Sequence, residues 1–250
     1  RQPLDKASVY CQNTTFGTAT NNEGAFKLTL KNGGYNLIVT YTGYKTQQLR
    51  IGSAENNKLE ILMTKEEKGM DEVIIKSSNE VKDGWEKYGA FFKEQFIGAT
   101  KFADSCTLLN PETLKFYFYK KSNKLKVLAT EPVKIANRAL GYNLSYRLDS
   151  FMYYYKTEAG SYRGFCFYEE MPGSEEEVKK WKTNRTKAYL GSRLHFMRSY
   201  YDSTLKEDGW ILEVPDEKNE KFVKVKEPYD SIYYGFIDST KDAELDYPGK

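Results

Sequence analysis

The sequence predicts a mainly β protein: an N-terminal Ig-like β-sandwich, then a second domain of α+β character with a mixed sheet and about three helices. Three observations carry that class. Phe26, Leu28 and Leu30, and then Tyr35, Leu37, Val39 and Tyr41, alternate with polar residues between Asn- and Gly-rich turns. That period of two marks half-buried antiparallel strands. Aromatic residues make up 15% of the chain, 21 of them Tyr, and such side chains fill pleated surfaces. Beyond Asp83 the period changes, because Trp85, Tyr88, Phe92 and Phe96 recur every three or four residues and so share one face of a helix.

The elements follow in order. Residues 1–63 predict short strands at 7–11, 18–20, 25–30, 35–41, 47–51 and 59–63, with turns at 13–15, 21–24, 32–34 and 42–43. Strands this short and closely spaced pack as a small sandwich. Residues 64–82 read as a linker: charged and Gly-ended at 65–69, a short apolar strand at 70–75, a polar loop at 76–82. The second domain spans 83–250. Asp83-Gly84-Trp85-Glu86 has capping-box spacing and opens the first helix. A further helical stretch at 99–106 is stopped by Asn110-Pro111. Strands are expected at 114–119, 124–129, 133–136, 142–155 and 162–168, the fourth long enough for a bent strand or a hairpin. Ser174 and Glu177 form a second capping box, with acids at the positive end of the helix dipole. Val178, Trp181, Ala188 and Tyr189 line that helix. Gly191-Ser192 breaks it, and Leu194, Met197, Tyr201 and Leu205 carry helical spacing on to Gly209. Residues 210–214, 222–225 and 231–237 are late strand candidates.

Composition excludes some functions. The chain has 250 residues, room for two cores. Its 38 basic and 35 acidic residues leave +3, too even a balance to argue for nucleic acid. No apolar run is long enough to span a bilayer. The sequence opens on Arg1 without a signal-like segment, as expected if an upstream segment is removed or the chain begins inside a longer protein. The three cysteines, Cys11, Cys106 and Cys166, lack metal-type spacing. Cys11 shares a strand face with Ala7 and Val9 and reads as core. Cys106 and Cys166 are either free thiols or, in an oxidising compartment, a bridge.

Candidate chemistry is sparse. His195 is the single histidine, so a two-histidine metal site cannot be assembled and no metal or cofactor is expected. It lies in Arg193-Leu194-His195-Phe196-Met197-Arg198. One reading is a helix histidine facing a core edge or a carboxylate. The other is a general base between Arg193 and Arg198, for which no nucleophile is identifiable. The acids at 169–170 and 175–177 sit at a strand end and a helix start, where solvated carboxylates are ordinary. Tyr153-Tyr154-Tyr155 could stack a sugar or a base, although alternation along a strand turns neighbours to opposite faces. The basic stretch Lys179-Lys180, Lys182, Arg185, Lys187 reads as a solvated helix face, with anionic-surface binding as the minor alternative.

The N-terminal pattern carries a resemblance. Pro3-Leu4-x-x-Ala7-Ser8-Val9-Tyr10, then Thr20-x-x-x-Gly24-x-Phe26-x-Leu28, then Gly33-x-Tyr35-x-Leu37-x-Val39-x-Tyr41-x-Gly43-Tyr44 resembles the carboxypeptidase-regulatory-like module. That module is a transthyretin-like sandwich of the kind that precedes SusC-like TonB-dependent receptors in Gram-negative envelopes. The resemblance implies a sandwich without peptidase residues of its own. The module's usual first strand, upstream of Pro3, is missing here, so it lies outside the chain or the sandwich edge is open to a partner. Met70-Asp71-Glu72-Val73-Ile74-Ile75 looks like the segment joining the module to a receptor plug, yet no plug or barrel follows. Instead, residues 85–209 resemble a companion region of uncharacterised envelope proteins. The shared residues are Trp85, Tyr88-Gly89, Phe96-Ile97-Gly98, Cys106, Asn110-Pro111, Ala139-Leu140-Gly141-Tyr142, Trp181, Arg185, Ala188-Tyr189, Gly191-Ser192, His195-Phe196 and Arg198.

These readings lead to an expected non-catalytic cell-envelope protein, periplasmic or outer-membrane associated. It would be a structural or binding subunit of a complex with envelope proteins such as a SusC-like or other outer-membrane barrel. No nucleic acid and no transmembrane segment are expected, and an upstream lipid anchor is compatible. The alternatives are a glycan- or peptide-binding accessory protein using Tyr153, Tyr154 and Tyr155, and a hydrolase of unknown type using Arg193, His195 and Arg198.

Overall fold

A computed structural model describes residues 2–31, 33–52, 58–66, 79–216 and 221–225. The expected strands at 70–75 and 231–237 and most of the linker lie outside the described residues. The fold is β-rich α+β, with three α-helices among the described residues. The chain divides into two compact units, Arg1–Lys182 and Thr183–Lys250.

In the first unit, β1 (Ser8–Cys11), β2 (Gly17–Ala19), β3 (Gly34–Thr40) and β4 (Gln47–Gly52) form an antiparallel sheet in the order β2-β1-β3-β4. Val9, Cys11, Leu37 and Val39 are buried on one face. Residues 25–30 and 59–63 cover that face, with Phe26, Leu28, Leu30, Ile61 and Met63 turned onto it. Both segments keep the alternation the sequence predicts, but neither enters a strand ladder. They are extended cover rather than the paired strands expected.

A six-stranded sheet follows: β5 (Cys106–Leu108), β6 (Leu114–Tyr119), β7 (Lys124–Ala129), β8 (Val133–Asn137), β9 (Tyr142–Tyr154) and β10 (Ala159–Glu170). Its order is β5-β8-β9-β7-β6, and β10 pairs along the other edge of β9. Every pairing is antiparallel where the sequence suggests a mixed sheet. The long β9 is one strand, not a hairpin. It pairs β8 through its first residues and β7 through its last, while β10 follows it throughout with a bulge at Arg163/Gly164. Residues 79–81 add to the β6 edge, through Val81 N–H to Phe116 O and Phe118 N–H to Asn79 O.

Helix α1 (Gly84–Ile97) packs Phe92 and Phe96 against Phe116, Leu125, Val127 and Phe151, making the main core. Gly84 is required there, since a Cβ would lie 2.6 Å from Phe116 Cβ. The expected capping box at Asp83 does not form: Asp83 makes no side-chain cap bond and faces Lys87 at 3.9 Å, one turn along. Residues 99–105 are turns, and Cys106 begins β5, so the helix expected at 99–106 is absent. Its apolar residues are too few to hold a helical face.

Helix α2 (Glu175–Tyr189) starts as the sequence predicts. Ser174 N–H and Oγ donate to Glu177 Oε2, at 2.8 and 3.0 Å, and Glu177 N–H donates back to Ser174 Oγ. These bonds hold the Glu177 carboxyl below the usual range. Trp181 anchors the helix: it is buried, and its Nε1–H donates to Arg138 O at 3.0 Å. Its indole covers Gly141, whose φ of +68° puts the backbone in the left-handed region.

The second unit holds the end of α2, then α3 (Arg193–Tyr201) and the hairpin β11 (Glu213–Asp216) with β12 (Lys221–Lys224). Ser192 caps α3 by accepting from His195 N–H. The helix stops at Tyr201, not at Gly209 as its spacing suggests, because Ser203 takes a φ of +60° and the chain turns. Leu205 is buried from that turn rather than from the helix.

Candidate functional site

Among the described residues, the cover of the N-terminal sheet leaves a cavity, and that cavity is the candidate site. β1 and β3 supply Val9 and Val39, 0% and 4% exposed, as its floor. Phe26 forms one wall, and Ile61 and Met63 form the other. The cavity between them is about 510 Å³ and opens beside Pro3 and Leu4. Alternation aims every second side chain inward, yet Phe26, Leu28, Leu30, Ile61 and Met63 reach only partial burial, while Leu59 and Leu62 are exposed. Among the described residues, the two extended segments make no ladder with each other or with the sheet beneath them, so this layer lacks the cross-strand neighbours that stabilise a sheet.

The groove is anchored from below. Thr20 Oγ1 donates to Leu4 O and accepts from Ala7 N–H, and Lys6 N–H donates to Thr20 O, which fixes the chain at residues 4–7. The Asn21 side chain accepts from Glu23 and Ala25 N–H and sets the turn into residues 25–30. At the far end Lys45 N–H donates to Thr64 O and Glu66 N–H to Gly43 O, which pins residues 64–66. Each wall is therefore held at one end, the first at its entry turn and the second at residues 64–66. This cavity lies on the covered face of the sheet, a different place from the edge before Pro3 where the sequence leaves either a strand outside the chain or an edge open to a partner.

The N-terminal sheet is also joined to the larger one. Asn13 N–H donates to Cys166 O, and Tyr168 N–H donates to Thr14 O, so the loop after β1 caps the outer edge of β10. Tyr10 meets Phe167 at 5.3 Å between ring centroids. A Cβ on Gly17 would lie 2.6 Å from the Phe167 ring, so the close approach needs glycine there. Nothing in the sequence patterning marks this joint.

The three tyrosines do not form one platform. Tyr153 is buried and packs edge-on against Phe91 at 4.7 Å; Tyr155 lies beside it, stacked on Phe91 at 5.5 Å. Tyr154 points to the opposite face, exposed, with Lys124 Nζ at 5.6 Å from its ring. Tyr153 is a core residue, and the half-buried Tyr155 packs against that core.

His195 is buried in the second unit, between Tyr189 and Trp210 at 4.9 and 5.2 Å. Its Nδ1 accepts from Gly191 N–H at 3.2 Å, so Nε2 carries the proton and faces Asp208 at 4.0 Å. Ser199, also buried, donates to His195 O and accepts from Trp210 Nε1–H. Thr204 Oγ1 donates to Asp208, and these hydroxyls hold the Asp208 carboxyl below its usual range. The serine hydroxyl engages the histidine's backbone, not its ring, so the group is a fastening between helix and turn. Arg193 is exposed, and Arg198 lies 5.4 Å over the Tyr189 ring; the structure does not bring the two arginines and the imidazole together around a cavity.

All three cysteines are free and buried. Cys11 is the core residue its strand position predicts, and the Cys106–Cys166 bridge does not form. Burial pushes the Cys166 thiol up to about 11 and raises Cys11 and Cys106 as well. Among the described residues, no cluster of His, Cys, Asp and Glu could hold a metal, and no helix is long and apolar enough to cross a membrane.

No curated protein and no solved structure matches the chain. A family model does match at residues 1–75, the segment holding the first sheet and its groove. Over residues 1–75 the chain therefore carries a CarboxypepD_reg-like domain, and the half-covered groove lies inside that domain.

Proposed function

We propose that this chain is a non-catalytic protein of the cell envelope, a binding or structural subunit of an outer-membrane-associated complex. It acts by accepting an extended strand from a partner into the groove between residues 26–30 and 59–63. The observation that carries this reading is the partial cover: the walls are extended and alternating but enter no ladder. Strand addition provides what such walls lack, main-chain bonds for affinity and alternate side chains for register. The envelope assignment is supported by the resemblance of the domain to modules that precede outer-membrane receptors.

Magnitudes indicate how the partner must bind. Completing the burial of Phe26, Ile61 and Met63, which line the cavity, contributes about 1 kcal/mol each, half the full burial value. Each new ladder bond adds roughly 0.5–1.5 kcal/mol. Association alone costs at least ~4 kcal/mol. A short free strand would bind only in the micromolar to millimolar range, at about −4 to −8 kcal/mol. A strand belonging to a larger partner, held nearby by other contacts, binds much more tightly.

A photo-crosslinker at Leu62, in envelope membranes from cells making the protein, tests the reading. The expected adduct is with an envelope protein, through one extended segment, and it disappears in Ile61→Lys/Met63→Lys. An adduct unaffected by those changes, or persistent failure to crosslink while the protein fractionates away from membranes, contradicts the proposal.

A further inference from the structure

The outward face of α3 combines two features that no role described above uses. Met197 and Leu194 are 54% and 55% exposed, and Tyr201 is 87% exposed. At 3.6 residues per turn the order around the helix is Arg193, Met197, Tyr201, Leu194, Arg198, spread over about 140°. An apolar row therefore runs along the helix with an arginine on each flank, and Leu190, also exposed, precedes it in the turn before the helix.

The opposite side of α3 fixes which face looks out. His195 and Ser199 point inward, tied to Gly191, Asp208 and Trp210. Rotating the helix to bury the row would break these bonds and expose an imidazole and a hydroxyl that are now satisfied. The row is an outcome of the packing, not of a loosely held helix. Arg198 rests over Tyr189 at 5.4 Å, so its charge stays at the flank of the row.

We infer that this face docks on an anionic phospholipid surface. Leu194, Met197 and Tyr201 enter the boundary between headgroups and acyl chains, and Arg193 and Arg198 extend outward to lipid phosphates. Apolar residues bracketed by cations, with an aromatic residue among them, are what an interfacial helix requires. The row is exposed, so it can enter a soft boundary without refolding the helix. Its flanking charges select an anionic surface over a neutral one.

The test is co-sedimentation of the full chain with vesicles of phosphatidylcholine alone, or mixed with phosphatidylglycerol. Binding is expected only to the mixed vesicles and should weaken as salt rises. Arg193→Gln and Arg198→Gln should each lower partitioning about fivefold, the effect of one interfacial cation. Leu194→Ser/Met197→Ser should abolish it with circular dichroism unchanged, since both side chains are exposed. Equal binding to both vesicle types, or none to either, overturns the inference. So does a self-associating chain that the Leu194→Ser/Met197→Ser pair renders monomeric, because the face then seats a second copy.

Discussion

Gly141→Ala should be among the most damaging single-methyl additions in the chain, and the cause is separable. Gly141 has a φ of +68°, where an L side chain costs about 1–2 kcal/mol. Its added Cβ would sit inside the van der Waals envelope of the Trp181 indole. That ring is rigid and is held by its bond to Arg138 O at 3.0 Å, so relief requires α2 to move. Overpacking of this kind costs about 1–3 kcal/mol, for a sum of about 2–5 kcal/mol. Trp181→Ala alone should cost about 3–5 kcal/mol. In that background the clash is gone, and Gly141→Ala should cost only the backbone part, about 1–2 kcal/mol. A double-mutant cycle in urea, followed by far-ultraviolet circular dichroism, should then give a coupling of about 1–3 kcal/mol. A Gly141→Ala cost below about 0.5 kcal/mol, or the same cost in both backgrounds, would refute the account of how α2 is anchored.

Three further outcomes follow from the structure. Tyr153→Ala should destabilise by about 3 kcal/mol or more, while Tyr154→Ala, on the exposed face, should change stability by less than ~0.5 kcal/mol; similar costs would place both tyrosines in one environment. Ser199→Ala should cost about 1 kcal/mol, because the half-buried Trp210 Nε1–H then loses its acceptor, and an unchanged denaturation midpoint would count against the fastening role of the His195 cluster. Desolvation raises Cys166 to about 11 and Tyr10 and Tyr146 to about 12. Their folded values lie above the unfolded ~8.5 and ~10, so the stability they contribute is intact below pH ~8.5 and is lost as pH rises through the folded values. Thermal melts should be flat to about pH 8.5 and decline from there to about pH 12, with Cys166→Ala reducing the earliest part, which the raised Cys11 and Cys106 thiols share; a flat profile throughout would show these groups to be solvated.

Local chemistry was legible where one short segment decides the outcome. Ser174 and Glu177 close their box because both partners lie within one turn. The strands at 114–119 and 124–129 form as read, since a turn at residues 120–123 brings them together in register. Asp83 shows the limit of such patterns, because the same spacing leaves its carboxylate facing Lys87 instead of the backbone. Helical spacing at Leu194, Met197 and Tyr201 identified α3 but not its inward side, which is set by distant partners at Asp208 and Trp210. The joint between Asn13, Thr14 and β10 was not visible at all, for it is made by main-chain groups that any residue carries. The groove lies between these cases. Its alternating walls were plain in the sequence, whereas their failure to pair depends on what lies between them in space.

The most direct measurement is amide hydrogen exchange of residues 26–30 and 61–63, set against β1 and β3. Unladdered extended walls should exchange far faster than the paired Val9, Leu37 and Val39 in the protein alone, and should become protected when an envelope partner is captured. Protection equal to that of β1 and β3 in the protein alone would mean that the layer is already complete, and would contradict the strand-acceptor account.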